Sequence, residues 1–318
     1  MLNNINWYPG HMKKTRELIS ENLKLVDVVI EVVDARIPVS SRNPIIDELI
    51  KGKDRVVVLN KSDLADREAS SRWLDYFRKK GYHALALNSM RGDGIRELFH
   101  LLEKIRAAKN AISLRNKPFR IMIVGVPNSG KSSLINRLTG KKSTQTGDRP
   151  GVTKGKQWLT VKAEGVMGTF QLLDTPGILW PKFEDPNVGM NLAFCGSIKD
   201  EIMDQPSLAL ELTTVLAKRY PSQLKDRYKL DEAQNLSEMT PLEIMEAIAT
   251  KRGFVMAGKR YDYERTARSL LDEFRGGLIG RITLEEVDGP VGEPEPLETE
   301  QESNHFDLKT PYQEQTEE

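Results

Sequence analysis

Residues 125–133, Gly-Val-Pro-Asn-Ser-Gly-Lys-Ser-Ser, follow the mostly apolar run Phe119-Arg-Ile-Met-Ile-Val124 and precede a helix-like stretch, Leu134 to Leu138. A strand, a glycine loop and a helix in that order are the context that gives a G-x-x-x-x-G-K-[ST] match its meaning. Gly125 and Gly130 let the backbone curl so that its N–H groups, with those of Asn128 and Ser129, converge on phosphate oxygens. The helix opening near Lys131 adds its positive dipole end. Lys131 can reach β- and γ-phosphates, Ser132 can give a hydroxyl to Mg²⁺, and Ser133 continues the cradle. The loop is expected to bind a nucleoside triphosphate, with an ordinary Gly-rich turn as the bland alternative.

A second pattern chooses the base. Arg55-Val-Val-Val-Leu59 reads as a buried strand, and it runs into Asn60-Lys61-Ser62-Asp63 at the sheet edge where ligands bind in such folds. The Asp63 carboxylate can accept from both N1–H and the 2-amino group of guanine, and adenine lacks that donor pair. A buried acceptor left unpaired rejects the wrong base by roughly 10⁴-fold or more. Lys61 can lay its stem along the base, and Asn60 can tie this loop to the phosphate loop. Asn88-Ser89-Met90, after the next strand, can offer backbone N–H groups to guanine O6. Asp174-Thr-Pro-Gly177 ends a further strand: Asp174 can hold a Mg²⁺-bound water and the Gly177 N–H can sense the γ-phosphate. Between it and the phosphate loop, Thr153 in Asp148-Arg-Pro-Gly-Val-Thr-Lys-Gly155 is the second hydroxyl expected on Mg²⁺, on a loop able to order around GTP.

Strand and helix patterns alternate from Val26 to Leu173. Helices are expected over 12–25, 43–51, 67–80 and 93–108, and strands over 26–33, 55–59, 83–87, 119–124, 157–163 and 168–173. Such alternation predicts an α/β fold with an open, largely parallel sheet. Beyond about residue 205 only helical patterns remain: 208–220, a capping box at Thr240-Pro-Leu-Glu243 opening a helix to about Arg252, and 261–274 stopped by Gly276-Gly277. The expected organisation is a nucleotide domain over 1–190 with a polar linker near 108–118, an all-helical domain over 205–284, and a tail over 285–318. At 318 residues the chain suits about two domains.

Charge is unevenly spread. The overall net charge of +1 conceals twelve acidic residues against one lysine after residue 284, which leaves +12 on the body. A basic body suits a polyanionic partner, whereas the Pro-rich acidic tail is expected to be disordered. No run approaches ~20 apolar residues, and Met-Leu-Asn-Asn-Ile-Asn-Trp has no signal-peptide pattern; no stable membrane association and a cytoplasmic location are expected. One cysteine, Cys195, excludes an internal disulfide and a Cys-based zinc site.

The order of these motifs is unusual. The guanine motifs at 60–63 and 88–90 precede the phosphate loop, the Thr153 loop and Asp174-Thr-Pro-Gly177, the reverse of ordinary small GTPases. The chain resembles a circularly permuted GTPase. With Trp7-Tyr-Pro-Gly-His-Met12, Asp34-Ala-Arg-Ile-Pro-Val-Ser-Ser-Arg-Asn43 and the helical C-terminal region, it closely resembles the ribosome biogenesis GTPase A family (YlqF, RbgA) over about residues 5–284. That resemblance implies a P-loop GTPase domain of permuted motif order and GTP-dependent assembly of the bacterial large (50S) ribosomal subunit, with contacts to its rRNA. It also points to His11 as the group assisting hydrolysis, because the residue that orients water as a glutamine in many GTPases is here Ile178. Slow hydrolysis alone and stimulation by the ribosomal subunit are therefore expected. Asn128 resembles the asparagine that holds K⁺ in K⁺-stimulated GTPases. GTP or GDP, Mg²⁺ and K⁺ are the expected ligands, and a monomer the expected state. A GTP-gated protein-binding switch without an RNA role is the alternative; a nucleotide-modifying kinase suits Asp63 and Asp174 less well.

Overall fold

A computed structural model describes residues 17, 19–50, 52–112, 118–140, 158–161, 169–174, 185–258 and 260–287. Residues 19–23 are helical and lead into the first strand. The order is then β1 (Val28–Asp34), α1 (Pro44–Leu49), β2 (Asp54–Asn60), α2 (Arg67–Lys79), β3 (His83–Ala86), α3 (Ile95–Ile112), β4 (Phe119–Val124), α4 (Lys131–Thr139), β5 (Trp158–Val161) and β6 (Phe170–Asp174). Helices follow: α5 (Pro186–Phe194), α6 (Gln205–Arg219), α7 (Pro221–Tyr228), α8 (Pro241–Arg252) and α9 (Tyr263–Arg275), with a two-stranded ladder, β7 (Val255–Met256) and β8 (Arg260–Tyr261), before the last helix.

The main sheet has six strands in the order β3-β2-β1-β4-β6-β5, all parallel except β5 against β6. Seven successive residues of β1 are buried, as the β-branched run Val-Val-Ile-Glu-Val-Val requires of a central strand covered on both faces. One of them is the charged Glu31, which is compensated by Arg55 at 2.6 Å and Arg42 at 3.2 Å. One face of the sheet packs Ile30 and Val32 with Leu98, Leu102, Leu134 and Phe170; the other packs Val29, Met122 and Val124 with Ile19, Leu23 and Ile46.

Several boundaries differ from those the sequence suggests. Helix α3 continues to Ile112, because Ala107, Ala108 and Ala111 sustain a helix through the stretch expected as linker; residues 113–117 lie outside the described part. The segment between 178 and 204, where no helix was expected, contains α5, started by Pro186 at its first turn with Asp185 accepting from the Asn187 N–H at 2.8 Å. The Thr240–Glu243 capping box forms with both reciprocal bonds. The helical region shares its apolar core with the nucleotide half: Ile37 and Val126 belong to the same buried cluster as Leu192, Leu212, Ile248 and Phe274.

Candidate functional site

Parallel strands bring their carboxyl ends to one edge, and the loops carrying the motifs leave from there. In register, Asp34 at the end of β1 stands beside Asn60 at the end of β2, and Ile123 of β4 beside Asp174 of β6. The sheet order places β2, with the guanine motif, two strands from β4, with the phosphate loop.

The phosphate loop is tightly closed. Gly125 has φ +155°, and a Cβ there would lie 2.4 Å from the Val32 carbonyl oxygen and 3.0 Å from Ser129 Oγ. Gly130 has φ +92°, and a Cβ would lie 2.1 Å from Asn60 Nδ2. Neither position tolerates a side chain. Lys131 opens α4, is buried, and donates from Nζ to the Val126 carbonyl at 2.8 Å, so its ammonium lies folded across the loop. Ser129 is buried with its hydroxyl lacking a hydrogen-bond partner, an orphan polar group beside the curled backbone. A loop whose N–H groups are curled by glycine, with a buried lysine and an unpaired hydroxyl, fits a triphosphate. Ser132 and Ser133 follow in the first turn of α4, where a hydroxyl can meet Mg²⁺. Among the described residues no three His, Cys, Asp or Glu side chains gather into a metal site.

The guanine loop is joined directly to it. Asn60, fully buried, donates from Nδ2 to the Ser129 carbonyl at 2.8 Å and accepts at Oδ1 from the Ser89 N–H at 3.1 Å. One amide thus links all three motifs. The neighbouring Asn88 accepts at Oδ1 from the Met90 and Arg91 N–H groups at 2.9 and 3.0 Å, and its own N–H goes to the Asp93 carbonyl at 2.9 Å. The N–H groups of residues 88–90, expected to face guanine O6, therefore carry partners within the protein. Arg137 of α4 holds the same loop by donating from Nε to the Ser89 carbonyl at 3.2 Å and from Nη2 to the Met90 carbonyl.

Lys61 adopts φ +58°, in the left-handed region, and its ammonium pairs with Asp34 at 3.0 Å. Asp34 also receives Arg36 at 2.8 Å. Burial alone would raise the Asp34 carboxyl, but Arg36 and Lys61 outweigh it and hold the group well below the usual carboxylate range. Arg36, itself buried, continues to the Phe274 and Arg275 carbonyls at 3.3 and 3.4 Å, and its guanidinium lies 5.2 Å from the Phe274 ring centre. This chain of contacts runs from the guanine loop to the last turn of α9, and motif reading missed it. The signal was present in Asp34 and Arg36, charged residues at and just beyond the end of a fully buried strand.

Asn128 also has positive φ, +58°. Its amide donates to the Cys195 and Gly196 carbonyls at 3.2 and 3.3 Å, at the end of α5. Arg275 fixes that end by donating to the Ala193 and Phe194 carbonyls at 2.9 and 3.0 Å while pairing with Asp200 at 2.7 Å. The Cys195 thiol is buried, which pushes its pKa up to about 12 and leaves it a packing residue. His11, Thr153 and Gly177 lie outside the described residues, and of Asp174 only the backbone position at the end of β6 is described.

A family model described as "50S ribosome-binding GTPase" matches residues 120–230. The chain is similar to ribosome biogenesis GTPase A of Bacillus cereus, with 47% identity over 285 residues, 88% of this chain and 93% of that protein. It is 46% identical over 298 residues to ribosome biogenesis GTPase A of Priestia megaterium, covering 92% of this chain and 99% of that one. Among solved structures, GNP-bound YlqF from T. maritima matches with a TM-score of 0.58 at 27% identity, over 86% of this chain and 98% of that chain. A GDP-bound YlqF matches with a TM-score of 0.62 at 27% identity, over 85% and 99% of the two chains.

Proposed function

The chain belongs to the ribosome biogenesis GTPase A family, and from that membership we propose that it serves as a GTP-hydrolysing assembly factor for the large ribosomal subunit, binding its rRNA in a GTP-dependent manner. The observation that supports this reading most is the Asn60 bridge, which unites guanine and phosphate motifs into one site despite their reversed order.

In this reading GTP and GDP bind with Mg²⁺. Asp63 accepts the guanine donors, Lys61 lies along the base, Asn60 fixes the loop, and Asn88 and Ser89 wall the base side. Asn128, Ser129, Gly130, Lys131, Ser132 and Ser133 enclose the phosphates. Ser132 and Thr153 are the hydroxyls suited to Mg²⁺, with Asp174 reaching it through water, and the Gly177 N–H is suited to sensing the γ-phosphate. Bound Mg²⁺ neutralises charge on the phosphates. Asn128 is a candidate ligand for K⁺, which would add positive charge where an arginine finger stands in other GTPases. Ile178 cannot hydrogen-bond a water, so turnover is slow until the ribosomal subunit positions His11, whose imidazole can bond the water. The helical region 205–284, with Lys218, Lys251, Arg260, Arg265 and Arg268, is suited to RNA phosphates. The protein acts as a monomer in the bacterial cytoplasm, without stable membrane association; among the described residues no helix is long and apolar enough to cross a membrane.

The test is co-sedimentation with large ribosomal subunits across salt concentrations. Salt-sensitive retention with a non-hydrolysable GTP analogue, and release with GDP, is the expected result. Nucleotide binding with no retention in either state would instead favour a GTP-gated switch acting on another protein.

A further inference from the structure

After α9 the described residues 276–287 form no helix or strand, yet residues 277–285 make contacts across more than two hundred positions of sequence. This strap starts against the guanine loop: a Cβ on Gly277 would meet Leu64 Cδ2 at 2.6 Å. Arg281 donates from Nη2 to the Ser62 carbonyl at 2.6 Å and from Nε to the Ala65 carbonyl at 3.0 Å. The Ile282 N–H donates to the Leu64 carbonyl at 2.9 Å, and Thr283 Oγ1 accepts from the Asp66 N–H at 3.1 Å. Four hydrogen bonds therefore fall on residues 62, 64, 65 and 66, which flank and follow Asp63.

The strap's far end is anchored independently of the loop. The Leu284 N–H donates to the Arg36 carbonyl at 2.8 Å. The Glu285 carboxylate accepts from the Val39 and Ser40 N–H groups at 2.6 and 2.9 Å and from Asn191 Nδ2 at 3.2 Å, while Trp73 Nε1 donates to its backbone carbonyl at 3.1 Å. Ile282, Thr283 and Leu284 are buried, so the strap is packed as well as bonded.

A carboxylate discriminates between bases only if it is held where the correct donors arrive, since ordering a free loop on binding costs conformational entropy. Besides the strap, this stretch is ordered by Asn60, by the Lys61–Asp34 pair, by the Ser62 N–H donating to the Leu87 carbonyl at 3.2 Å and by the Leu64 N–H donating to the Lys61 carbonyl at 2.9 Å. We infer that the strap is the positioning element of the guanine loop, with Arg281 its principal residue, and that it sets how strongly Asp63 selects guanine. This inference rests on reading Asp63 as the guanine acceptor.

The experiment compares equilibrium binding of GDP and IDP to the full chain. The two differ only by the 2-amino group, so their affinity ratio cancels changes in phosphate or metal binding and in the folded fraction. The wild type is expected to favour GDP, and Asp63→Ala to remove that preference. Arg281→Ala should reduce the IDP/GDP ratio of Kd about tenfold, the loss expected when charge-assisted hydrogen bonds holding a loop are removed. Arg281→Lys should restore part of it. Thr283→Val, nearly isosteric, should shift the ratio in the same direction and decides the matter if Arg281→Ala fails to fold. A wild type that binds both nucleotides equally overturns the guanine reading and the strap's role together. Discrimination lost in Asp63→Ala but intact in folded Arg281→Ala and Thr283→Val overturns the strap's role alone.

Discussion

The Asn60 amide donates to the Ser129 carbonyl at 2.8 Å, joining two loops that lie 69 residues apart in the chain. Its other end accepts from Ser89, so a single buried side chain sets the spacing between guanine and phosphate motifs. Replacing it with alanine strands a buried carbonyl and a buried N–H. Asn60→Ala should cost about 1–3 kcal/mol of stability in urea unfolding. Its GTP affinity should fall by about tenfold or more, measured by equilibrium fluorescence binding.

The Asp34 carboxylate contacts both Lys61, at 3.0 Å, and Arg36, at 2.8 Å. Asp34→Asn keeps its shape but leaves Arg36, 1% exposed, as an uncompensated buried charge. The expected loss is about 3–5 kcal/mol in denaturant titration.

The same carboxylate gives a pH signature. Its folded pKa is lowered from the ordinary 3.8, because Arg36 and Lys61 outweigh the burial that would raise it. Ionised Asp34 therefore contributes stability above about pH 3.8, and that contribution is lost as pH falls below this value towards the folded pKa. The stability difference between wild type and Asp34→Asn should be constant above this range and shrink below it, as read by urea unfolding at successive pH values.

Asn128→Ala tests the monovalent ion. If its side chain holds K⁺, wild-type GTP hydrolysis should run faster in KCl than in NaCl of equal ionic strength, and the variant should turn over equally in both. A wild type indifferent to the cation would remove K⁺ from the site.

His11→Ala should bind GTP with unchanged affinity and lose the turnover stimulated by large ribosomal subunits by roughly 10²–10⁴-fold. Single-turnover hydrolysis with and without subunits measures it, and unchanged stimulated turnover would remove His11 from catalysis.

Much of the fold was legible because local chemistry and periodicity agree. The runs at 28–34, 54–60 and 119–124 are dominated by Val, Ile, Leu and Met, with Glu31, Arg55 and Arg120 as charged interruptions, the pattern of parallel strands covered on both faces. The Thr240–Glu243 capping box is purely local, and it forms where the sequence places it. Helix α5 was not legible: Pro-Asn-Val-Gly-Met-Asn-Leu-Ala-Phe contains two asparagines and a glycine, and packing of Leu192 and Phe194 into the helical core overrides their weak propensity. The ladder Val255–Met256 with Arg260–Tyr261 was missed because two residues per strand carry no period.

The candidate site divides along the same line. The strand–loop–helix context of Gly125 to Ser133, the acceptor chemistry of Asp63 and the reversed motif order are properties of the sequence alone. They follow from residue type and spacing, which fix backbone curl and donor–acceptor complementarity. Only the tertiary structure decided what holds that site together. Arg36 reaching the end of α9, Arg275 fixing the carbonyls that meet Asn128, and Arg281 bracing residues 62–65 all act across long separations. An arginine carries five donors that any nearby carbonyl can accept, so its sequence neighbours say nothing about its partner. The folded chain brings the carbonyls of the guanine and phosphate loops within reach of its last helix and strap.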